Sequence, residues 1–187
     1  MKQMFTYTAL LASVLFLNAC QNKQQASEAT DPADTTEVIT SPSSADEEVA
    51  ASDWLKKLTG PEEGTFRGIN LGDGVATVKA SESAEPFEED ASHIGYTIEY
   101  ENLESFDVQY FLDKVKKVER IEVDIYLNNR QSVDTHKQEL TAYFNRRYGK
   151  ATQQGWKLSG NNQVTLTDVS KGKDFGLKLV FGNGVRA

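Results

Sequence analysis

Apolar and polar residues alternate in three successive stretches near the middle of this chain. They are Ile94, Tyr96, Ile98 and Tyr100; Phe106, Val108, Tyr110 and Leu112; and Ile121, Val123, Ile125 and Leu127. A period of two belongs to a strand with one buried face, and antiparallel sheets carry the other face in water. The third stretch sets Arg120, Glu122 and Asp124 on that wet face, with Tyr126 in line after them. The connecting segments, Glu101–Ser105 and Asp113–Lys116, are of hairpin length. From Ser132 to Tyr148 the period lengthens to that of a helix. Val133, Leu140, Phe144 and Tyr148 line one stripe, Tyr143 widens it, and Lys137 adds its aliphatic stem. Arg146, Arg147 and Lys150 suit the negative end of that helix, and Gly149 is a natural residue to end it. Strands return at Trp156–Leu158, at Gln163–Val169 and at Phe175, Leu177, Leu179 and Phe181. They are separated by turns at 160–162 and 170–174.

Two shorter helices are expected upstream. Asp53 caps one that Gly60 and Pro61 stop, with Trp54, Leu55 and Leu58 on its apolar face. After an extended entry and a glycine turn over 66–74, Asp73 caps a second running from roughly Gly74 to Ser83, with Val75 and Val78 inward. The expected fold is therefore α+β, with helices packed on an antiparallel sheet in the order α-β-β-β-α-β-β-β after the first helix. Two similar units about sixty residues apart have the look of a duplication, without residue-level identity between them.

The first twenty residues follow a different pattern. Lys2 precedes an apolar run from about Phe5 to Leu17, and then come Asn18, Ala19 and Cys20, the one cysteine in 187 residues. A charged head, a short apolar core and a small-residue cleavage site make a secretory signal. The run is too short to span a bilayer, which needs about 20 apolar residues, and Thr6, Thr8 and Ser13 interrupt it. Leu17-Asn18-Ala19-Cys20 resembles the lipobox of bacterial lipoproteins. That resemblance implies cleavage before Cys20, lipidation of its thiol, and a bacterial cell-envelope location anchored by acyl chains. Each buried methylene contributes about 0.8 kcal/mol, and two chains suffice for stable anchoring. Gln21, where enteric-type lipoproteins retained in the inner membrane carry aspartate, points to the outer membrane.

Charge then divides the rest. Residues 21–50 hold no aromatic residue, two of the four prolines and a net charge of −6. A segment so polar and charged gains too little from burial to order itself, and reads as a tether spanning roughly 30 Å. The expected organisation is a signal peptide over 1–19, lipidated Cys20 with an acidic tether to residue 50, and one domain over 51–187. That domain carries only −3 net. It shows no basic patch interleaved with aromatics, so nucleic acid is not an expected partner.

Candidate chemistry is sparse. His93 and His136 would both have to join carboxylates to hold zinc, since the domain lacks cysteine. No metal and no cofactor are expected. Glu85, Glu88, Glu89 and Asp90 read as a solvated acidic loop, weak divalent-ion binding being the alternative. Asp168–Asp174 places its glycine fifth rather than sixth and adds two lysines, so it is a turn and not a calcium loop. Gly72-Asp73-Gly74 lacks the lysine and spacing of a phosphate loop. No G-x-S-x-G elbow exists. What remains is the open strand face: Arg120, Glu122, Asp124 and Tyr126 form the candidate partner surface.

The stretch Phe66-Arg67-Gly68-Ile69-Asn70-Leu71-Gly72-Asp73-Gly74-Val75-Ala76-Thr77-Val78 resembles the opening of small bacterial envelope domains. These are the SmpA-type outer-membrane assembly lipoproteins and the β-lactamase-inhibitor-like proteins. Gly74 stands where they usually have Ser or Thr. The resemblance implies a glycine turn, a helix and an antiparallel sheet in a non-enzymatic protein-binding module. It carries over no functional residue. The expected function is a lipid-anchored, non-catalytic module that binds an envelope protein. The alternatives are capture of a soluble ligand, an inhibitor-type domain, or an enzyme whose site one sequence does not reveal.

Overall fold

Ser52, not Asp53, caps the first helix in the computed structural model, which describes residues 51–183. Its hydroxyl accepts from Leu55 N–H at 3.1 Å, while Asp53 pairs with Lys56 one turn on. The helix α1, Asp53–Thr59, buries Trp54, Leu55 and Leu58. The second helix, α2, Val75–Ser81, starts at Gly74 with no side-chain cap. Asp73 instead accepts from Asn70 N–H at 2.7 Å and so closes the turn before the helix.

The sheet follows: β1 (Glu88–Glu89), β2 (His93–Glu99), β3 (Ser105–Leu112) and β4 (Val118–Leu127). A turn of 3₁₀ helix, Glu101–Leu103, joins β2 to β3. Helix α3, Arg130–Tyr148, is capped by the Asn129 side chain, which accepts from Ser132 N–H, and it ends at Gly149 with φ +82°. Then come β5 (Trp156–Lys157), β6 (Asn162–Asp168) and β7 (Phe175–Asn183). The seven strands form one antiparallel sheet in the order β1-β2-β3-β4-β7-β6-β5. The α+β class holds. The order departs from α-β-β-β-α-β-β-β, because the segment read as a solvated acidic loop contributes β1 as a fourth strand to the first meander. The two meanders meet where β4 pairs with β7.

Alternation puts Ile94, Tyr96, Phe106, Val108, Tyr110, Ile121, Val123, Ile125, Leu177, Leu179 and Phe181 on one buried face. Helix α3 lies against β5, β6 and β7 and packs Phe144 on Phe181 and Trp156. It buries Val133, Leu140, Tyr143 and Phe144, but Lys137 is exposed and contributes no stem to the core. Trp54 of α1 meets Phe106 edge-on and stacks flat on His136 of α3, with centroids 3.7 Å apart.

The stretch over 66–74 is more than an extended entry. Arg67 and Gly68 have φ of +53° and +78°, and Phe66 and Ile69 bond across them. Two positive φ values in the centre of a turn are the type I′ arrangement. The turn folds the Arg67 side chain inward, where Nε and Nη2 donate to the two oxygens of Glu82 at 2.7 and 2.8 Å. Nη1 donates to the carbonyls of Lys57 and Leu58 at the end of α1, both at 2.9 Å. Tyr110 of β3 donates to Glu82 from the other side at 2.5 Å. Burial works against the Arg67 charge, but the bonds and charge of Glu82 outweigh it and hold the guanidinium protonated. Burial first, and then the Glu82 charge, push the Tyr110 phenol far up.

Removing one partner of a buried ion pair costs about 3–5 kcal/mol. Glu82→Ala should therefore destabilise by that amount in denaturant unfolding, and Tyr110→Phe by about 1 kcal/mol. A second check uses Asp168, at the end of β6. Its carboxylate accepts from Ser170 and from Arg130, which together hold its pKa at about 2. A depressed carboxylate stabilises the fold above its unfolded pKa of about 3.9, and that contribution is lost as pH falls through about 2. Asp168→Asn should lower the melting temperature at neutral pH, and the gap to wild type should close below pH 2–4.

Candidate functional site

The sheet's outer face, away from the helices, is a grid whose rows follow from register. One row runs Thr97, Asp107, Asp124, Lys178, Thr167 across β2, β3, β4, β7 and β6. The row on one side holds Gln109, Glu122 and Val180; the row on the other holds Ser105, Tyr126 and Gly176. Beyond Glu122, Phe111 pairs with Arg120. Arg120, Glu122, Asp124 and Tyr126 thus share this face, as their spacing predicts.

Ion pairs knit its centre. Lys178 Nζ lies 2.7 Å from Glu122 and 3.2 Å from Asp124. Burial opposes the Lys178 charge, but the bonds to these two carboxylates prevail and raise its pKa. Arg120 Nε stands 3.1 Å from Glu122 without aiming its N–H there, and its guanidinium lies 4.1 Å over the Phe111 ring. Thr97 donates to Asp107 at 2.6 Å. Burial, followed by the negative charge of Asp107 and Asp124, pushes the Tyr126 phenol up. Tyr126 remains half exposed.

Two glycines shape the grid. At Gly95 a Cβ would stand 2.5 Å from the Phe87 ring, so the chain just before β1 lays an exposed phenylalanine over this position. At Gly176 a Cβ would stand 2.7 Å from the Ile125 carbonyl oxygen, and a notch of about 130 Å³ opens beside it, lined by Asp124, Tyr126, Val169 and Asp174. Of the five large apolar side chains exposed among the described residues, Phe87, Tyr126 and Val169 belong to this face. Their distribution was not legible beforehand. Phe87 and Val169 lie in segments read as loop and strand end, and only the fold brings them beside Tyr126.

His93 extends the Phe111–Arg120 row of this face and stacks on Phe111, whereas His136 lies on α3; each stands between two carboxylates. His93 Nε2 is 3.3 Å from Glu88, and Nδ1 is 3.2 Å from Asp90. His136 is 3.7 Å from Glu104 and 3.4 Å from Glu139. Glu88, Asp90 and His93 lie close enough to enclose one cation. However, Asp90 Oδ1 already accepts from Ser92 N–H, Ser92 Oγ and His93 N–H. These bonds depress its pKa strongly. The cluster is a turn lock: Asp90 holds the corner that feeds β2. Two clefts, of about 520 and 610 Å³, flank residues 152–157 and β6. Glutamine, asparagine and threonine line them, with Lys157 the one titratable group, and neither contains a histidine. None of the described helices is long and apolar enough to cross a membrane. Cys20 and the tether lie outside the described residues.

Comparison with protein-family models, with curated proteins and with solved structures found no match.

Asp90→Ala removes the shared acceptor for two amides. Hydrogen exchange at Ser92 and His93 should then rise by roughly tenfold, while Tyr96 in the same strand stays unchanged.

Proposed function

We propose that this chain is a lipid-anchored bacterial envelope protein that binds a protein partner through the outer face of its sheet, without catalysis. The observation that carries this reading is the face itself. Its central side chains are half-buried and held by mutual ion pairs, so little side-chain entropy remains to be lost on docking. Exposed Tyr126, Val169 and Phe87 surround them, and aromatic anchors amid satisfied polar groups are what protein interfaces use. The lipobox resemblance at 17–20 supports the anchor, and Gln21 supports the outer membrane as its site.

A second reading draws on the clefts beside residues 152–157. Their size falls within the range of small-ligand pockets, and their amides and hydroxyls suit a polar, uncharged ligand.

Two measurements test the proposal. Cys20→Ala should abolish lipid labelling and leave the precursor uncleaved; normal processing of that variant would overturn the anchor. A photo-cross-linking amino acid at position 167, on the outer face, should trap a discrete envelope protein in living cells. The same group at position 138, on the solvent side of α3, should not. Equal labelling from both positions would overturn the docking face.

A further inference from the structure

We infer that the notch over Gly176 captures a cationic side chain, that of an arginine on the docked partner. This inference rests on the docking face proposed above and names the chemistry by which that face selects.

Size is the first argument. At about 130 Å³ the notch holds the volume of roughly four waters, well short of the 300–1,000 Å³ typical of small-molecule pockets. It admits one side chain. Lining is the second. Tyr126, Val169, Asp124 and Asp174 line it together with Ile125 and Gly176. An aromatic face beside carboxylates is the environment that a guanidinium prefers, since it stacks on rings and bonds carboxylates in its plane.

The protein supplies its own precedent. Three rows away on the same face, Arg120 lies over the Phe111 ring with Glu122 at 3.1 Å. Tyr126 with Asp174 repeats the aromatic-and-acid part of that arrangement. Lys178 pairs with Asp124, while Asp174 is exposed and makes no ion pair among the described residues. Charge over the whole face agrees. Its strand positions carry Glu88, Glu99, Asp107, Glu122 and Asp124 against Arg120, Lys157 and Lys178. Lys171 and Lys173 in the β6–β7 turn are exposed and line no part of the notch. A basic partner surface is therefore the complementary one.

The test is a titration of the ¹⁵N-labelled full chain in detergent with the blocked peptide acetyl-Gly-Arg-Gly-amide. Its citrulline counterpart, which keeps the shape and loses the charge, serves as comparison. The arginine peptide should shift the Tyr126, Val169 and Gly176 amides saturably, and the citrulline peptide should bind at least tenfold more weakly. Asp174→Asn should weaken arginine binding at least threefold with the rest of the spectrum unchanged, and Asp174→Lys should abolish it. Equal response to both peptides, or shifts centred elsewhere, would overturn the inference. The cross-link from position 167 separates the two readings. A cross-link undiminished by Asp174→Lys means the face docks a partner without capturing a cation, which overturns the inference alone. Charge-dependent arginine shifts without any cross-link support the notch and overturn the docking reading.

Discussion

The architecture depends on one buried ion pair, Arg67 with Glu82. Glu82 follows the short helix α2, whose one buried residue is Val78, and Arg67 sits in a left-handed turn between buried Phe66 and Ile69. Their bidentate contact ties the turn to the end of α2, and Tyr110 fastens both to the central strand β3. The remaining guanidinium nitrogen reaches the last carbonyls of α1, where a cation also suits the negative end of a helix dipole. One side chain thereby joins two helices, a turn and the sheet. The Glu82 side chain is 1% exposed, so either charge left without the other would be costly.

This constraint explains the division of the sheet. The helical layer, fixed by Arg67 over β3 and by Phe144 over Phe181, covers one side. The opposite face then has to resolve its charges within itself. It does so with Lys178 placed between Glu122 and Asp124, and with Thr97 and Tyr126 flanking Asp107. Asp107 and Asp124 stand directly opposite each other on β3 and β4, a pairing that would be repulsive without these neighbours. The surface that results is acidic, with ion pairs at its centre and exposed Phe87, Tyr126 and Val169 around them. Such a platform can meet a partner without rearrangement. The notch over Gly176 sets Tyr126 beside Asp174, a carboxylate with no ion pair among the described residues.

The histidines show how far residue type falls short of chemistry. His93 and His136 both acquire two carboxylate neighbours, the arrangement from which many catalytic and metal sites are built. In each case the surroundings give a structural role. Asp90 is committed to the turn before β2, and His136 is stacked on Trp54 beneath α1. Neither ring borders the clefts beside residues 152–157.

Much of the fold was written in periodicity. The three central strands, the long helix and the three closing strands follow from alternation and helical spacing, because both report which face must leave water. The placement of Arg120, Glu122, Asp124 and Tyr126 on one face is a consequence of the same period. Local hydrogen bonding was harder to read: Ser52 rather than Asp53 caps α1, and Asp73 closes a turn instead of capping α2, since adjacent polar residues compete for the same amides. Glu88–Glu89 became a strand because β2 offers it an edge, a fact that acidic composition hides. Only the tertiary structure decided that Arg67 is an internal tie, that β4 and β7 join the two meanders, and that Val169 and Gly176 complete a notch beside Tyr126. These depend on contacts between residues far apart in the chain, to which no local pattern is sensitive.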